Sequence, residues 1–183
     1  MTEKPAIESL GRGRFLELLR DGRWEYASRT VGNGGAAVVA VTPAREIVFV
    51  EQFRHPVGAR AIELPAGIVA DDGTGETPET AAARELEEET GFRAARIALL
   101  MSGPTAPGLT SERTHMVLAT GLARVGAGGG VAGEDIVTHV VPLDDAPAWL
   151  SDAAARGLAV EPKVYAGLFF AGRLGDADIA AVD

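Results

Sequence analysis

Three glutamates carry the strongest chemical signal in this chain. Glu85, Glu88 and Glu89 stand at i, i+3 and i+4, a spacing that on a helix puts all three carboxylates on one face. Like charges held that close repel one another. A divalent cation reverses the sign of the interaction, and hard oxygen donors suit magnesium, with manganese the other fitting ion. The plain alternative is a solvated acidic face, which is what most acidic runs are. Nucleophilic chemistry by the protein itself has little to draw on. The chain has no cysteine, which also excludes disulfides and thiolate metal sites, and it shows no serine–histidine arrangement.

The glutamates need a helix to hold them, and the flanking residues predict one. Thr77 is a good N-cap, and Pro78 suits the first helical position because its missing N–H has no partner there. Ala81, Ala82, Ala83 and Leu86 favour helix, and Gly91 supplies a left-handed stop. Ahead of this helix, residues 36–41 and 47–54 read as apolar strands. Arg54 ends the second. Its guanidinium fork matches a diphosphate bidentately, the alternative being an exposed salt-bridging arginine. Glu63, at the end of the next extended stretch, either binds substrate or supports a group that does.

After the helix, residues 96–101 and 114–122 read as strands around a loop with two prolines and two glycines, which also carries Glu112. Residues 126–133 hold five glycines in eight positions, which predicts weak conformational preference and motion. This segment delivers Glu134 and Asp135 to the strand at 136–141. It is either a slack hairpin connection or a catalytic loop that closes over substrate and presents a general base. Glu134 has the longer reach, and Asp135 is better placed to brace the loop. Trp149, Leu150, Ala153 and Ala154 predict an apolar helix face ending at Gly157. Pro162 opens another helix, with Val164, Leu168 and Ala171 at helical spacing. Residues 175–183 are expected to fray.

Residues 1–35 form an extension. Stretches 15–20 and 24–29 flank Asp21-Gly22, a good hairpin turn. Two strands alone are marginal and must pack on something. Phe15 there is most simply a core or interface residue. The length of 183 residues favours one domain, or one domain with an extension, and 46% hydrophobic residues suffice for a sizeable core. A net charge of −9 argues against sequence-independent binding of nucleic acid, which needs a cationic face. It leaves room for an anionic substrate, since metal ions and local arginines can make that contact. No cationic-then-apolar leader and no apolar run of spanning length is visible. The expectation is a cytoplasmic protein without a membrane partner. No internal repeat is present.

The string 63–92, ELPAGIVADDGTGETPETAAARELEEETGF, closely resembles the Nudix box: a glycine, a spacer, a glutamate, seven residues, then R-E-U-x-E-E-x-G-U with U apolar. Glu76 is followed by seven residues and then Arg84, and every later position matches. One departure stands out. Gly67 and Glu76 are separated by eight residues where the family usually has five, and the extra three fall in the loop 71–75, where insertions are tolerated. The string P-G-x-T-S-E-R at 107–113, with Pro107 sixteen residues after Gly91, resembles a loop of the ADP-ribose pyrophosphatase branch. G-E-D-I at 133–136 resembles a segment of ADP-ribose and GDP-mannose pyrophosphatases.

This resemblance implies an α/β fold, a mixed sheet sandwiched between helices, over residues 36–174. The extension 1–35 is then an N-terminal β-sheet packing across a homodimer, and 175–183 a tail. It implies magnesium-dependent hydrolysis of a nucleoside diphosphate sugar to a nucleoside monophosphate and a sugar phosphate. ADP-ribose is the first choice of substrate and GDP-mannose the second; a non-catalytic domain that senses a nucleotide sugar is the alternative of another class. The carried-over roles place metal on Glu85, Glu88, Glu89 and the Ala66 carbonyl. Arg84 orients the box glutamates, Arg54 holds phosphate, Phe15 and Arg29 meet the nucleobase, Glu112 bonds the distal sugar, and Glu134 is the base.

Overall fold

The computed structural model describes residues 6–32, 34–70, 75–131 and 133–179. Gly22, at φ 61°, lets β2 (Leu16–Asp21) reverse into β3 (Trp24–Arg29) with Asp21 facing Trp24. A further strand, β1 (Glu8–Arg12), pairs antiparallel with β2; its alternation is too weak to read from sequence. This small sheet is tied to the loop 105–112. The Ala27 N–H donates to the Leu109 carbonyl at 2.9 Å, the Ser111 N–H donates to the Ala27 carbonyl at 3.0 Å, and Arg29 pairs with Glu112.

The apolar run after Gly34 is β4 (Gly35–Ala40), buried on both faces. Ala36, Val38 and Ala40 point into a core closed by Ala81, Ala82 and Leu86 of α1 (Pro78–Thr90). Ala37 and Val39 point the other way, into a core closed by Leu150 and Ala153 of α2 (Ala146–Ala155) and Val164 and Ala171 of α3 (Lys163–Ala171). Two-sided burial explains why the run is continuously apolar, as expected of a strand with helices over both faces.

β4 lies in a four-stranded sheet between β7 (Ala66–Ile68) and β10 (Arg113–Thr120), with β9 (Arg96–Pro104) at the edge; only the β4–β10 pair is parallel. A second sheet has the order β12 (Val137–Pro142), β5 (Glu46–Arg54), β6 (Ala59–Glu63), β13 (Ala159–Val160). Two-residue strands β8 (Phe92–Arg93) and β11 (Ala123–Arg124) complete the mixed α/β architecture. Among the described residues no helix is long and apolar enough to cross a membrane.

The box helix begins and ends where its caps predict. The Thr80 N–H donates to Thr77 Oγ1 at 3.2 Å, Pro78 opens the first turn, and Gly91 stops the helix at φ 71°. The expectation of a frayed C-terminus is corrected for 175–179. Those residues include the single turn α4 (Asp176–Ile179), whose Ile179 is 1% exposed within the α2–α3 core. Arg96 Nη2 donates to the Asp178 carbonyl at 2.6 Å, and Arg45 Nη1 lies 3.6 Å from Asp176 Oδ1. One buried isoleucine and two cationic side chains hold the segment down. Residues 180–183 lie outside the described residues, as do positions 71–74, where the box insertion was placed.

Candidate active site

The box glutamates are held to different depths. Glu89 is 4% exposed, and one of its oxygens accepts the Ala66 N–H at 3.0 Å. The Glu85 carboxylate lies against the backbone at Gly67, where an added Cβ would come within 1.7 Å of Glu85 Oε1. The box therefore needs a glycine there for close approach rather than for its turn. Glu88 is half-exposed. Arg84 spans the group: Nη1 donates to Glu85 at 2.8 Å and to Glu88 at 3.3 Å, while Nε and Nη2 reach Glu76 at 3.3 and 3.4 Å.

Burial pushes the Glu89 carboxyl up from 4.5 to about 8. The Ala66 N–H opposes the shift, the charges of Glu85 and Glu134 add to it, and Arg54 opposes it. Glu85 is also raised, chiefly by burial, against the pull of Arg84. Among the described residues no three acidic or imidazole groups are drawn together around one point, because Arg84 holds Glu85 and Glu88 while Glu89 faces Ala66. The donor set nevertheless suits a hard divalent cation. It is all carboxylate and carbonyl oxygen, and its deepest member carries a charge that burial and its neighbours oppose.

A stability prediction follows from the Glu89 shift. Its folded pKa of about 8 exceeds the ordinary 4.5, so the native state binds the proton more tightly than the unfolded chain. In chelator, the protein should lose stability as pH rises from about 4.5 to about 8, and Glu89→Gln should remove most of that slope. Thermal midpoints of both proteins across this range, with and without magnesium, check it. Equal slopes in chelator would refute the assignment, and magnesium should flatten the wild-type curve.

A cleft of about 300 Å³ opens beside Ala66 and Gly67, and it gathers Arg29, Arg54, Glu112 and Lys163 from four separate segments. Arg54 is fixed by Glu63: Nε donates to its oxygens at 3.0 and 2.8 Å and Nη2 at 2.6 Å, while Gln52 Nε2 donates to Glu63 at 3.2 Å. Glu63, 8% exposed, thus supports the arginine from behind instead of lining the cleft. Arg29 and Glu112, expected at opposite ends of a substrate, are paired with each other. Lys163 was not singled out from sequence. It enters the cleft because α3 begins there, and it pairs with Glu161, whose carboxyl burial pushes up against the pull of that lysine. Phe15 does not line the cleft of its own chain; it is 58% exposed, with the Arg14 guanidinium 4.9 Å from its ring centroid.

The glycine-rich segment differs from the slack connection its composition predicts. Its first half is packed onto the end of α1. The Gly129 N–H donates to the Glu89 carbonyl at 2.8 Å and the Gly130 N–H to the Glu88 carbonyl at 3.0 Å. A Cβ on Gly128 would come within 2.5 Å of the Thr90 carbonyl carbon. These glycines serve close packing at positive φ, and they satisfy carbonyls that a helix end leaves open. The segment delivers Glu134, exposed, with Oε2 accepting the Val131 N–H at 2.9 Å. Asp135 instead pairs with Arg60 at 2.8 Å.

Residues 32–160 match the NUDIX domain family, and the chain belongs to it. It is 36% identical over 120 residues to a methanol dehydrogenase activator of Bacillus methanolicus, covering 65% of this chain and 63% of that one. It is 45% identical over 130 residues to an ADP-ribose pyrophosphatase of Mycobacterium tuberculosis, covering 68% and 62%. The chain thus spans less than two thirds of the length of either relative. The crystal structure of an ADP compounds hydrolase superposes with a TM-score of 0.70 at 21% identity, covering 90% of this chain and 88% of the other, a likeness of fold.

Proposed function

We propose that this protein hydrolyses the pyrophosphate bond of a nucleoside diphosphate sugar, with ADP-ribose the first-choice substrate and GDP-mannose the second. The observation that carries this reading is the cleft itself: three cationic side chains, Arg29, Arg54 and Lys163, stand beside the Ala66–Gly67 edge against which Glu85 and Glu89 of the box helix are packed. Glu85, Glu88, Glu89 and the Ala66 carbonyl are the groups that would hold magnesium or manganese. An ion held there would supply positive charge against the diphosphate oxygens and lower the pKa of a bound water. Arg54, braced by Glu63, holds a phosphate by its fork. Arg84 keeps the box carboxylates oriented, and Glu112 accepts from sugar hydroxyls once substrate parts it from Arg29. Glu134 takes the proton as the water oxygen bonds to one phosphorus; the bridging P–O bond breaks, leaving a nucleoside monophosphate and a sugar phosphate. The test is monophosphate release across a panel of nucleotide sugars with magnesium. No turnover on any member would end the reading.

The name of the Bacillus methanolicus relative makes that protein an activator of another enzyme, which favours as second reading a domain that senses a nucleotide sugar without cleaving it. All box glutamates are present here, so we rank hydrolysis first.

We also propose a homodimer built on the β1–β2–β3 sheet. Leu16 and Leu18, 51% and 44% exposed, lie on one face of it, and adjacent exposed apolar side chains of that kind mark an interface. Leu18→Glu should give a monomer by analytical ultracentrifugation, with turnover lowered about tenfold as the sheet that positions Arg29 loses its support. An intact dimer in that variant would place the interface elsewhere.

A further inference from the structure

The segment that carries Glu134 is anchored at both ends, by different physics. Its N-terminal part is bonded to the last carbonyls of α1, as described. At its C-terminal end the anchor is Arg60, on β6. Arg60 Nη1 donates to Asp135 Oδ2 at 2.8 Å and Nη2 to the Asp135 carbonyl at 3.4 Å. The same guanidinium donates through Nε to Glu51 Oε1 at 2.5 Å and through Nη2 to the Glu51 carbonyl at 3.2 Å. The second Glu51 oxygen lies 3.0 Å from His139 Nε2, and the His139 ring rests on Trp149 with centroids 5.0 Å apart.

One planar fork therefore joins β6, β5 and the residues entering β12. A single exposed ion pair contributes little to stability. Four contacts from one rigid guanidinium do something else: they fix geometry, and a point-charged ammonium would not reproduce them. Between the two anchors stands Glu134, bonded to its own loop at Val131. Its Oε2 stands 2.4 Å from where a Cβ on Gly130 would lie, and the Gly130 N–H is bonded to the Glu88 carbonyl, so its carboxylate sits against the part of the segment that is fastened to the box helix. Asp135 has no such duty, since its side chain is turned to Arg60.

We propose that Arg60 is a positioning residue for the reaction: by clamping Asp135 against β5 and β6 it fixes the backbone from which Glu134 reaches the attacking water. This rests on the reading of Glu134 as general base, and the test separates the two. The measurement is kcat, KM and thermal midpoint for wild type, Arg60→Ala, Glu134→Gln and the double variant, with ADP-ribose and saturating magnesium. Arg60→Ala should lower kcat by about 10- to 100-fold, the scale of an ångström-sized misplacement, with KM nearly unchanged. In the Glu134→Gln background the same change should cost less than about twofold, because two residues acting through one group are not additive. A merely structural role would lower the thermal midpoint and cost the same factor in both backgrounds; that result overturns the proposal and leaves Glu134 standing. A Glu134→Gln enzyme at wild-type rate overturns both. Asp135→Asn cuts one side of the clamp at constant size and should show the same non-additivity, which keeps the proposal open to refutation if Arg60→Ala does not fold.

Discussion

Glu134→Gln is expected to lower kcat by about 10²- to 10⁴-fold with little change in KM, the range for loss of a general base. The side chain is exposed and accepts a hydrogen bond from the Val131 N–H. An amide of the same shape keeps an acceptor there, so the loop survives the change. Only the capacity to take a proton is lost. The pH–rate profile supplies the second signature. If Glu134 is the base, the wild-type rate should fall on the acid side, and in the variant that limb should vanish because the residual reaction no longer needs the carboxylate. Asp135→Asn should also slow the enzyme, but through the clamp and by a smaller factor. A silent Glu134→Gln beside a crippled Asp135→Asn would exchange the two roles, and two silent variants would move the base to Glu112 or a box glutamate.

Glu88→Gln is expected to cost about 10²-fold or more in kcat at saturating magnesium, if its carboxylate binds the ion directly. Glu88 is the mildest place to remove a charge from the box. Its side chain is 37% exposed and its contact with Arg84 is long at 3.3 Å, so an unchanged thermal midpoint should accompany the loss. Titrating magnesium should show weaker metal dependence of activation, with the half-maximal concentration raised. Near-wild-type turnover would remove Glu88 from the metal set.

What could be read without coordinates was whatever is encoded locally. Thr77, Pro78 and Gly91 delimit the box helix by their own conformational preferences, and Gly22 does the same for the β2–β3 hairpin. The even burial of β4 was visible as an uninterrupted apolar run. What stayed hidden depends on contacts between distant segments. Lys163 reaches the cleft only because α3 starts beside it, Arg60 meets Asp135 across 75 positions, and Arg29 finds Glu112 across 83. A lone lysine or arginine carries no periodicity or motif to betray such a meeting. The glycine run misled for a related reason. Composition records conformational freedom, whereas the chain uses Gly128 and Gly130 where any Cβ would strike Thr90 or Glu134. Ile179 was likewise overlooked because a single buried residue leaves no pattern.

The cleft has a consequence for how such a protein diverges. The carboxylates sit on one helix whose end is sealed by the glycine segment, while Arg29, Glu112 and Lys163 arrive from a strand, a loop and another helix. Copies of the gene can therefore accumulate changes in the three visiting segments and acquire new molecular tastes, each change tried separately, while the inherited carboxylate helix is passed on intact. Drift is cheap at the rim and costly at the seal: one extra methyl at Gly128 meets the backbone of Thr90 within 2.5 Å, and one at Gly67 displaces the Glu85 carboxylate, so lineages should wander in the ligand they prefer long before they wander in those two glycines.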